Sequence, residues 1–417
     1  MVRISTKGML LVLMLLTAFR AHAYDFEVDG ICYTKLGNNE AAVASKEGVP
    51  YDQNYSGKIT IPQTVTHDNV VYSVTAIGDN AFHTCGALKS VIIPESVTVI
   101  GDGAFYNCFM MKSVNIPGHV TEIGKRAFYE CYALPRASLK IPDSVLKIGA
   151  EAFSGSTGLT TVTIPSAMTE IGDSTFLRCE ALTSVTIHDH VTKIGEYAFN
   201  GCNLESISIP NSVIEIGEKA FCSCSELTSL DIPDSVTKVG KYAFEYCRKL
   251  ETVTIGKSLE ELSYLMFGEC YALTSVLIPN TVKKIGDGTF FYCYKLKTIT
   301  IPESVTGIGQ IAFRGCSALD NIIVNSIYPP AADETSFDEE TYGMANLTVP
   351  ENCVQTYRNA DVWKNFMSIS STALPEVGCD RVVVGRYDLN GRPVGDDHKG
   401  VTIEQYSDGL TTKALKL

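Results

Sequence analysis

Positive charge is what this chain most lacks. It carries 34 Lys and Arg against 47 Asp and Glu, a formal charge of −13 at pH 7, which argues against nucleic acid or an anionic membrane as its main partner, because both are held by clustered Lys and Arg. Histidine is scarce too: His22, His67, His83, His119, His188, His190 and His398 are scattered, and only His188-Asp189-His190 forms a local group. A His-x-His on a strand end could hold a metal with Asp189, yet no third ligand lies nearby in the sequence, and such a pair is more often a polar turn. The chain has no Gly-x-Ser-x-Gly elbow, no His-Glu-x-x-His and no Walker loop. Its carboxylates recur at exposed positions such as Asp143, Asp234 and Glu303, where a solvated face explains them. No catalytic residue, metal ligand or cofactor is expected.

Long apolar runs are missing as well. The run from Met9 to Phe19 follows a basic start (Arg3, Lys7) and precedes the small-x-small site Ala21-His22-Ala23, so residues 1–23 read as a secretory leader with the mature chain starting near Tyr24. Losing it removes Arg3, Lys7 and Arg20 and no acid, which moves the formal charge from −13 to −16. The first cysteine, Cys32, lies too far on for a lipid anchor. Nothing later approaches eighteen uninterrupted apolar residues, so export without a transmembrane anchor is expected.

What the chain has is repetition. A unit of 22 to 25 residues recurs eleven times, clearly in Ile209-Pro-Asn-Ser-Val-Ile-Glu-Ile-Gly-Glu-Lys-Ala-Phe221 and in Ile232-Pro-Asp-Ser-Val-Thr-Lys-Val-Gly-Lys-Tyr-Ala-Phe244. Five residues after the Ile of each Ile-Gly pair or its equivalent comes a phenylalanine, from Phe82 through Phe105, Phe128 and so on to Phe313. A short unit with one apolar side must stack on its neighbours to bury it, and the implied fold is a solenoid.

Within a unit such as Leu227-Thr-Ser-Leu-Asp-Ile-Pro233, Leu227, Leu230 and Ile232 face inward as in a strand, and Pro233 ends the pairing. Val236 and Val239 point in again, and Gly240 permits a tight turn. The segment through Ala243-Phe244 to Cys247 has apolar residues at i, i+1 and i+4, consistent with a short helical or 3₁₀ arc. Strands about 4.8 Å apart would make eleven units a body roughly 50 Å long. Before the solenoid (58–325), residues 24–57 form a β-rich cap with a hairpin turning at Asp29-Gly30, and Ile59-Thr-Ile-Pro62 supplies the first repeat strand.

The pattern Cys-x-x-Leu-x-x-Val-x-Ile-Pro-x-Ser-Val-x-x-Ile-Gly-x-x-Ala-Phe resembles the BspA-like class of bacterial leucine-rich repeats over about residues 58 to 325. Local departures are Pro135 in a two-residue insertion before Ile141, His188 and Gly256 in place of proline, and Leu262-Ser263 in place of Ile-Gly. The resemblance implies a surface-exposed or secreted protein of a host-associated bacterium, a binder of host or bacterial surface proteins, with no catalytic residues to carry over.

Ten of the fourteen cysteines occupy one column of the repeat: Cys85, Cys108, Cys131, Cys179, Cys202, Cys224, Cys247, Cys270, Cys293 and Cys316, with Ser156 in the gap. Sulfurs in a straight row cannot surround one ion, and parallel side chains hold the Cβ atoms too far apart for easy bridging. A row of small buried thiols is the favoured reading, despite the export signal. Cys32, Cys222, Cys353 and Cys379 are the better candidates for any bridge.

Beside that column lie two groups of aromatic residues, Tyr106, Phe109, Tyr129 and Tyr132, and Tyr246, Tyr264, Tyr271, Tyr292 and Tyr294. Adjacent turns would make each group a strip suited to binding a partner. Alternatively, they merely cover the flank of the arc.

Beyond Ile323 the period fades, and residues 326–370 read as a C-terminal cap. Tyr328-Pro-Pro330 breaks the pattern, Asp333 to Glu340 is a solvated acidic loop, and Leu347-Thr-Val-Pro350 is a last strand. Tyr357, Val362, Trp363 and Phe366 are spaced as on one amphipathic helix, with the chain's single tryptophan closing the core. Residues 371–417 read as a small β module. Tyr387-Asp-Leu-Asn-Gly-Arg392, Lys399-Gly400 and Tyr406-Ser-Asp-Gly409 followed by Lys413 look like the C-terminal sorting domain of type IX secretion in Bacteroidota, without the usual aromatic after Lys-Gly; a plain β tail is the other reading.

Two functions remain open at this point. One is an exported protein, at the cell surface or secreted, that adheres to a host or bacterial protein or glycan. The other is a structural spacer in the envelope.

Overall fold

Alternation of apolar and hydroxyl residues sets the first side of each coil. In the strand Ser184–Thr186, Val185 is buried while Ser184 and Thr186 face out, and it pairs in parallel, residue for residue, with Thr161–Thr163 of the coil before. A second side is made by two-residue strands such as Lys193–Ile194, which pairs in parallel with Glu170–Ile171 and Glu215–Ile216. The computed structural model describes residues 24–46, 54–134, 140–372, 383–387, 392, 394–395, 400–406 and 411–416. The expected leader 1–23, Pro135, Cys379, His398 and Lys399, and the turns at Asn390-Gly391 and Asp408-Gly409 lie outside the described residues.

The third side is built from single turns, not from a continuous helix. Ala220, Cys222 and Cys224 donate their N–H groups three residues back within the coil, while Lys219, Phe221 and Ser223 donate to Lys241, Ala243 and Glu245 of the next coil at 2.7–2.9 Å. Lys219 and Ser223 have φ of 53° and 61°, and each such left-handed residue stops an i→i+3 turn from propagating. Most coils are thus tied to the next on three sides, although the second-side ladder is interrupted between Lys147–Ile148 and Glu170–Ile171 and between Lys238–Val239 and Glu261–Leu262.

The repeat glycine serves a different purpose from the tight turn expected of it. Neither Gly217 nor Gly240 has a positive φ. A Cβ on Gly217 would sit 2.7 Å from the Glu196 nitrogen of the preceding coil, and one on Gly240 would collide with Glu218. Close backbone approach, not backbone conformation, excludes a side chain there.

Inside the coils, phenylalanines stack in one file. Twelve rings from Phe82 to Phe337 lie 5.1–5.9 Å apart with planes within 15° of parallel, an offset-stacked range that adds to the burial itself. Phe337 lies beyond the point where the sequence period fades. Parallel pairing likewise continues, from Asn321–Val324 to Asn346–Val349 and on to Ser368–Ser371.

Both ends are covered. At the N-terminal end Phe26–Val28, Ile31–Gly37 and Glu40–Ala44 form an antiparallel meander whose first turn is Asp29-Gly30, and Glu40–Ala44 joins Val70–Ile77 in parallel. At the C-terminal end the expected single helix is a helix Val354–Arg358 and a 3₁₀ turn Trp363–Asn365, separated at Val362, whose φ is 68°. Trp363 is buried against Phe337, Tyr357 and Phe366 and donates its indole N–H to the Pro330 carbonyl at 2.8 Å. Val383–Tyr387, Gly400–Tyr406 and Thr411–Lys416 make a separate antiparallel sheet.

Phe199→Ala removes a fully buried ring from the middle of the file, and urea unfolding is expected to show a loss of about 3–5 kcal/mol. A loss below about 1 kcal/mol would mean that the stack does not hold the coils together.

Candidate interaction surface

The cysteine column stands where the third side returns to the first. Each thiol after Cys85 donates to the carbonyl of a phenylalanine one coil earlier: Cys108 to Phe82 at 3.0 Å, Cys131 to Phe105 at 3.1 Å, Cys202 to Phe176 at 3.1 Å and Cys247 to Phe221 at 3.3 Å. Cys179, Cys224, Cys270, Cys293 and Cys316 do the same. Ser156, in the gap, donates its hydroxyl to Phe128 at 2.8 Å. Cys85 has no phenylalanine of this file before it, and its thiol turns to the His83 carbonyl at 3.8 Å. The position therefore takes a small hydrogen-bond donor, which serine and cysteine both supply. All thirteen described cysteines, Cys32, Cys222 and Cys353 among them, are buried and unbridged. Burial pushes Cys85 and Cys131 up to about 12 and holds Cys108, Cys202, Cys224, Cys247, Cys270 and Cys293 well above the ordinary thiol range.

The aromatic residues fall into three places. Tyr106 stacks on Tyr129 at 4.8 Å and on His83 at 4.7 Å, while Phe109 and Tyr132 stand further out, 38% and 45% exposed. Tyr271 meets Tyr294 at 5.1 Å, and Tyr294 meets Tyr292 at 5.5 Å. Tyr246 joins this second patch through Arg248, whose guanidinium carbon lies 5.8 Å from the Tyr246 ring and 5.6 Å from the Tyr271 ring. The Tyr271 hydroxyl donates to Glu269 at 2.5 Å, and this bond, with burial, pushes the Tyr271 hydroxyl up to about 12. The Tyr292 ring lies over Gly315, where any Cβ would strike it.

Tyr264 does not belong to this patch. It meets Tyr242 edge-on at 5.0 Å on another part of the coil. Tyr264 follows Leu262 by two residues whereas Tyr271 follows Cys270 directly, so the two stand at opposite ends of the third side. Arg248 and the trio Tyr197, Lys219 and Tyr242 are additions from the structure, with the Lys219 ammonium 5.3 and 4.8 Å from the two rings. Their signal was present in the sequence: Tyr197, Lys219 and Tyr242 each lie three residues past the Ile-Gly isoleucine or its equivalent, and Arg248, like Tyr271 and Tyr294, directly follows a column cysteine.

His190 places its Nδ1 3.0 Å from the Ser166 carbonyl of the preceding coil. Among the described residues no three His, Cys, Asp or Glu side chains gather as metal ligands would. Several shallow hollows open on the surface, and two of them border the aromatic groups. One of about 470 Å³ is bounded by Asn80, His83, Asp102, Gly103, Tyr106, Lys125 and Arg126. Another, of about 460 Å³, is bounded by Ser223, Ser225, Tyr246 and Arg248.

Comparison with known proteins gives a consistent result. The family described as BspA type Leucine rich repeat region matches in six copies, over residues 75–204, 192–320 and 260–377. No curated protein matches the chain. Among solved structures, a leucine rich cell surface protein from Faecalibacterium prausnitzii A2-165 is 32% identical, covering 72% of this chain and 94% of that one, with a TM-score of 0.47. A leucine-rich repeat protein from Bacteroides ovatus ATCC 8483 is 26% identical, covering 72% and 95%, with a TM-score of 0.45. The pneumococcal vaccine antigen PcpA, 18% identical over 84% and 99% of the two chains with a TM-score of 0.50, shares the fold.

The thiol column predicts sensitivity to alkali. Its folded-state pKa values are raised, so the neutral form is favoured by folding and its stabilisation is complete below the unfolded thiol value of about 8.5. Above that pH the unfolded chain releases protons that the folded chain keeps, at a cost of up to about 1.4 kcal/mol per pH unit for each thiol. The melting temperature is expected to fall steeply from about pH 9. Cys202→Ser with Cys224→Ser should flatten that fall while leaving stability near pH 7 little changed; an unaltered slope would show that other groups cause it.

Proposed function

The chain belongs to the BspA-type leucine-rich repeat family, and from that premise we propose that it is an exported, surface-associated protein that recognises a protein or glycan partner through the patch of Tyr246, Arg248, Tyr271, Tyr294 and Tyr292. Proteins of this repeat class are in general non-enzymatic scaffolds with an interaction or recognition role, and they are typically extracellular or at the cell surface. Among the described residues no helix is long and apolar enough to cross a membrane.

The observation that carries the reading is the patch itself. Four tyrosines and an arginine from three successive coils are held side by side on a backbone whose hydrogen bonds are already made. Tyrosine supplies contact area at low entropic cost, and tyrosine and arginine are enriched where interfaces concentrate their energy. The stack of Tyr106 and Tyr129, with Phe109 and Tyr132 beside it, is a second surface of the same kind. Export is supported by the leader-like residues 1–23, and the tail from Tyr387 to Lys413 supports sorting to the cell surface. A spacer role draws on the uninterrupted phenylalanine file, which makes the body stiff whether or not a surface is used.

Two experiments test this reading. Purified wild-type chain should retain a host matrix protein that the triple variant Tyr271→Ala, Tyr292→Ala, Tyr294→Ala retains at least about tenfold less well; equal capture by both removes the patch from the proposal. Fractionation of producing cells should find the chain at the surface or in the medium, and recovery from the cytoplasm alone would sink the export reading.

A further inference from the structure

Resting on that recognition reading and narrowing it, we propose that the hollow bounded by Ser223, Ser225, Tyr246 and Arg248 binds an acidic pyranose, a sugar ring bearing a carboxylate, at the end of a glycan. The hollow arises from a step in two neighbouring columns at the same place. After the column cysteines, Asn203 and Ser225 give way to Arg248, Tyr271 and Tyr294; one residue before the cysteines, Gly201 and Ser223 give way to Tyr246. Small side chains on one coil thus meet large ones on the next. Tyr106 has both faces covered by rings, whereas among the described residues Tyr246 has no ring partner; Arg248 lies beside its face and its hydroxyl is bonded to Glu269.

Arg248 is the anchor. Arg126 is held by a two-pronged bond to Glu151, with both N–O distances 2.9 Å, and Arg314 faces Asp338 at 3.8 Å. Arg248 is aligned by two tyrosine faces instead, and among the described residues it makes no ion pair or hydrogen bond. Its guanidinium is exposed, and the planar fork of donors matches a carboxylate in two-pronged fashion. The nearby acids have partners of their own: Glu226 with Lys249, Glu269 with the Tyr271 and Tyr246 hydroxyls, and half-buried Glu245 with the Cys222 thiol. In a chain of formal charge −13, an anion is held where a cation has been left without an acid.

The backbone favours a sugar over a peptide. Ser223 and Tyr246 already donate their N–H groups to Glu245 and Gly268 of the following coil, so the hollow offers no strand edge on which an extended peptide could pair. A sugar ring needs a flat aromatic face, hydroxyl partners and an anchor for its acid. Tyr246, the two serines and Arg248 supply these in a space of about 460 Å³, within the range of small-ligand sites.

The test titrates the full chain with sialyllactose, whose terminal sugar carries a carboxylate, with lactose, and with a glutamate-rich peptide, read by saturation-transfer NMR and calorimetry. Sialyllactose alone is expected to bind. Arg248→Gln should weaken it at least about tenfold, Ser225→Tyr should fill the hollow and abolish it, and Arg178→Gln, an exposed arginine of the same file three coils before Tyr246, should change nothing. Binding of lactose as tight as that of sialyllactose, binding unaffected by Arg248→Gln, or tighter binding of the peptide would each overturn the proposal. If sialyllactose fails to bind while matrix-protein capture still depends on the tyrosines, the sugar assignment falls and the recognition reading stands.

Discussion

Most coils give main-chain hydrogen bonds to their neighbours on three sides, and the spacing those bonds impose, close to the 4.8 Å of paired strands, governs what each side chain can do. A residue must lie against its own counterpart one coil away. Phenylalanine meets this demand by offset stacking, with centroids 5.1–5.9 Å apart. Glycine meets it where the backbones approach so closely that no Cβ fits. Cysteine meets it by donating to a phenylalanine carbonyl of the preceding coil, and the described thiols stand unbridged.

The same constraint shapes the outer surface. Left-handed residues at two points of the third side turn their side chains outward in files, so whatever occupies those positions in successive units becomes a neighbour in space. Lys219 is enclosed by Tyr197 and Tyr242 for this reason, and the exposed carboxylates find lysines one coil away, as Glu122 finds Lys147 and Glu215 finds Lys238. Those ion pairs are solvent-exposed and contribute little. The places that stand out are the ones where a file changes character, because a step in side-chain size between coils is what makes a hollow on an otherwise regular body.

Part of this was legible in the residues. The Ile-Gly pairs, the phenylalanine column and the cysteine column could be counted directly, and the Asp29-Gly30 hairpin followed from its turn chemistry. The third side was harder. Apolar residues at i, i+1 and i+4 suit a helical turn, yet they suit equally a run of separate i→i+3 turns reset by left-handed residues, and non-glycine residues such as Lys219 and Ser223 give no warning of positive φ. The coils past Ile323 were hidden because Phe337 and Asn346–Val349 keep their place in the stack after the letters around them have drifted.

The sequence by itself determined that this is a stack of near-identical coils with phenylalanine inside, since a 22- to 25-residue period with one apolar side has no other economical way to bury it. Only the tertiary structure decided which surface residues meet. Distance along a coil and distance between coils are unrelated in a linear reading: Tyr264 and Tyr271 are seven residues apart and stand at opposite ends of one side, while Arg248 and Tyr271, 23 residues apart, touch because one coil rests on the next.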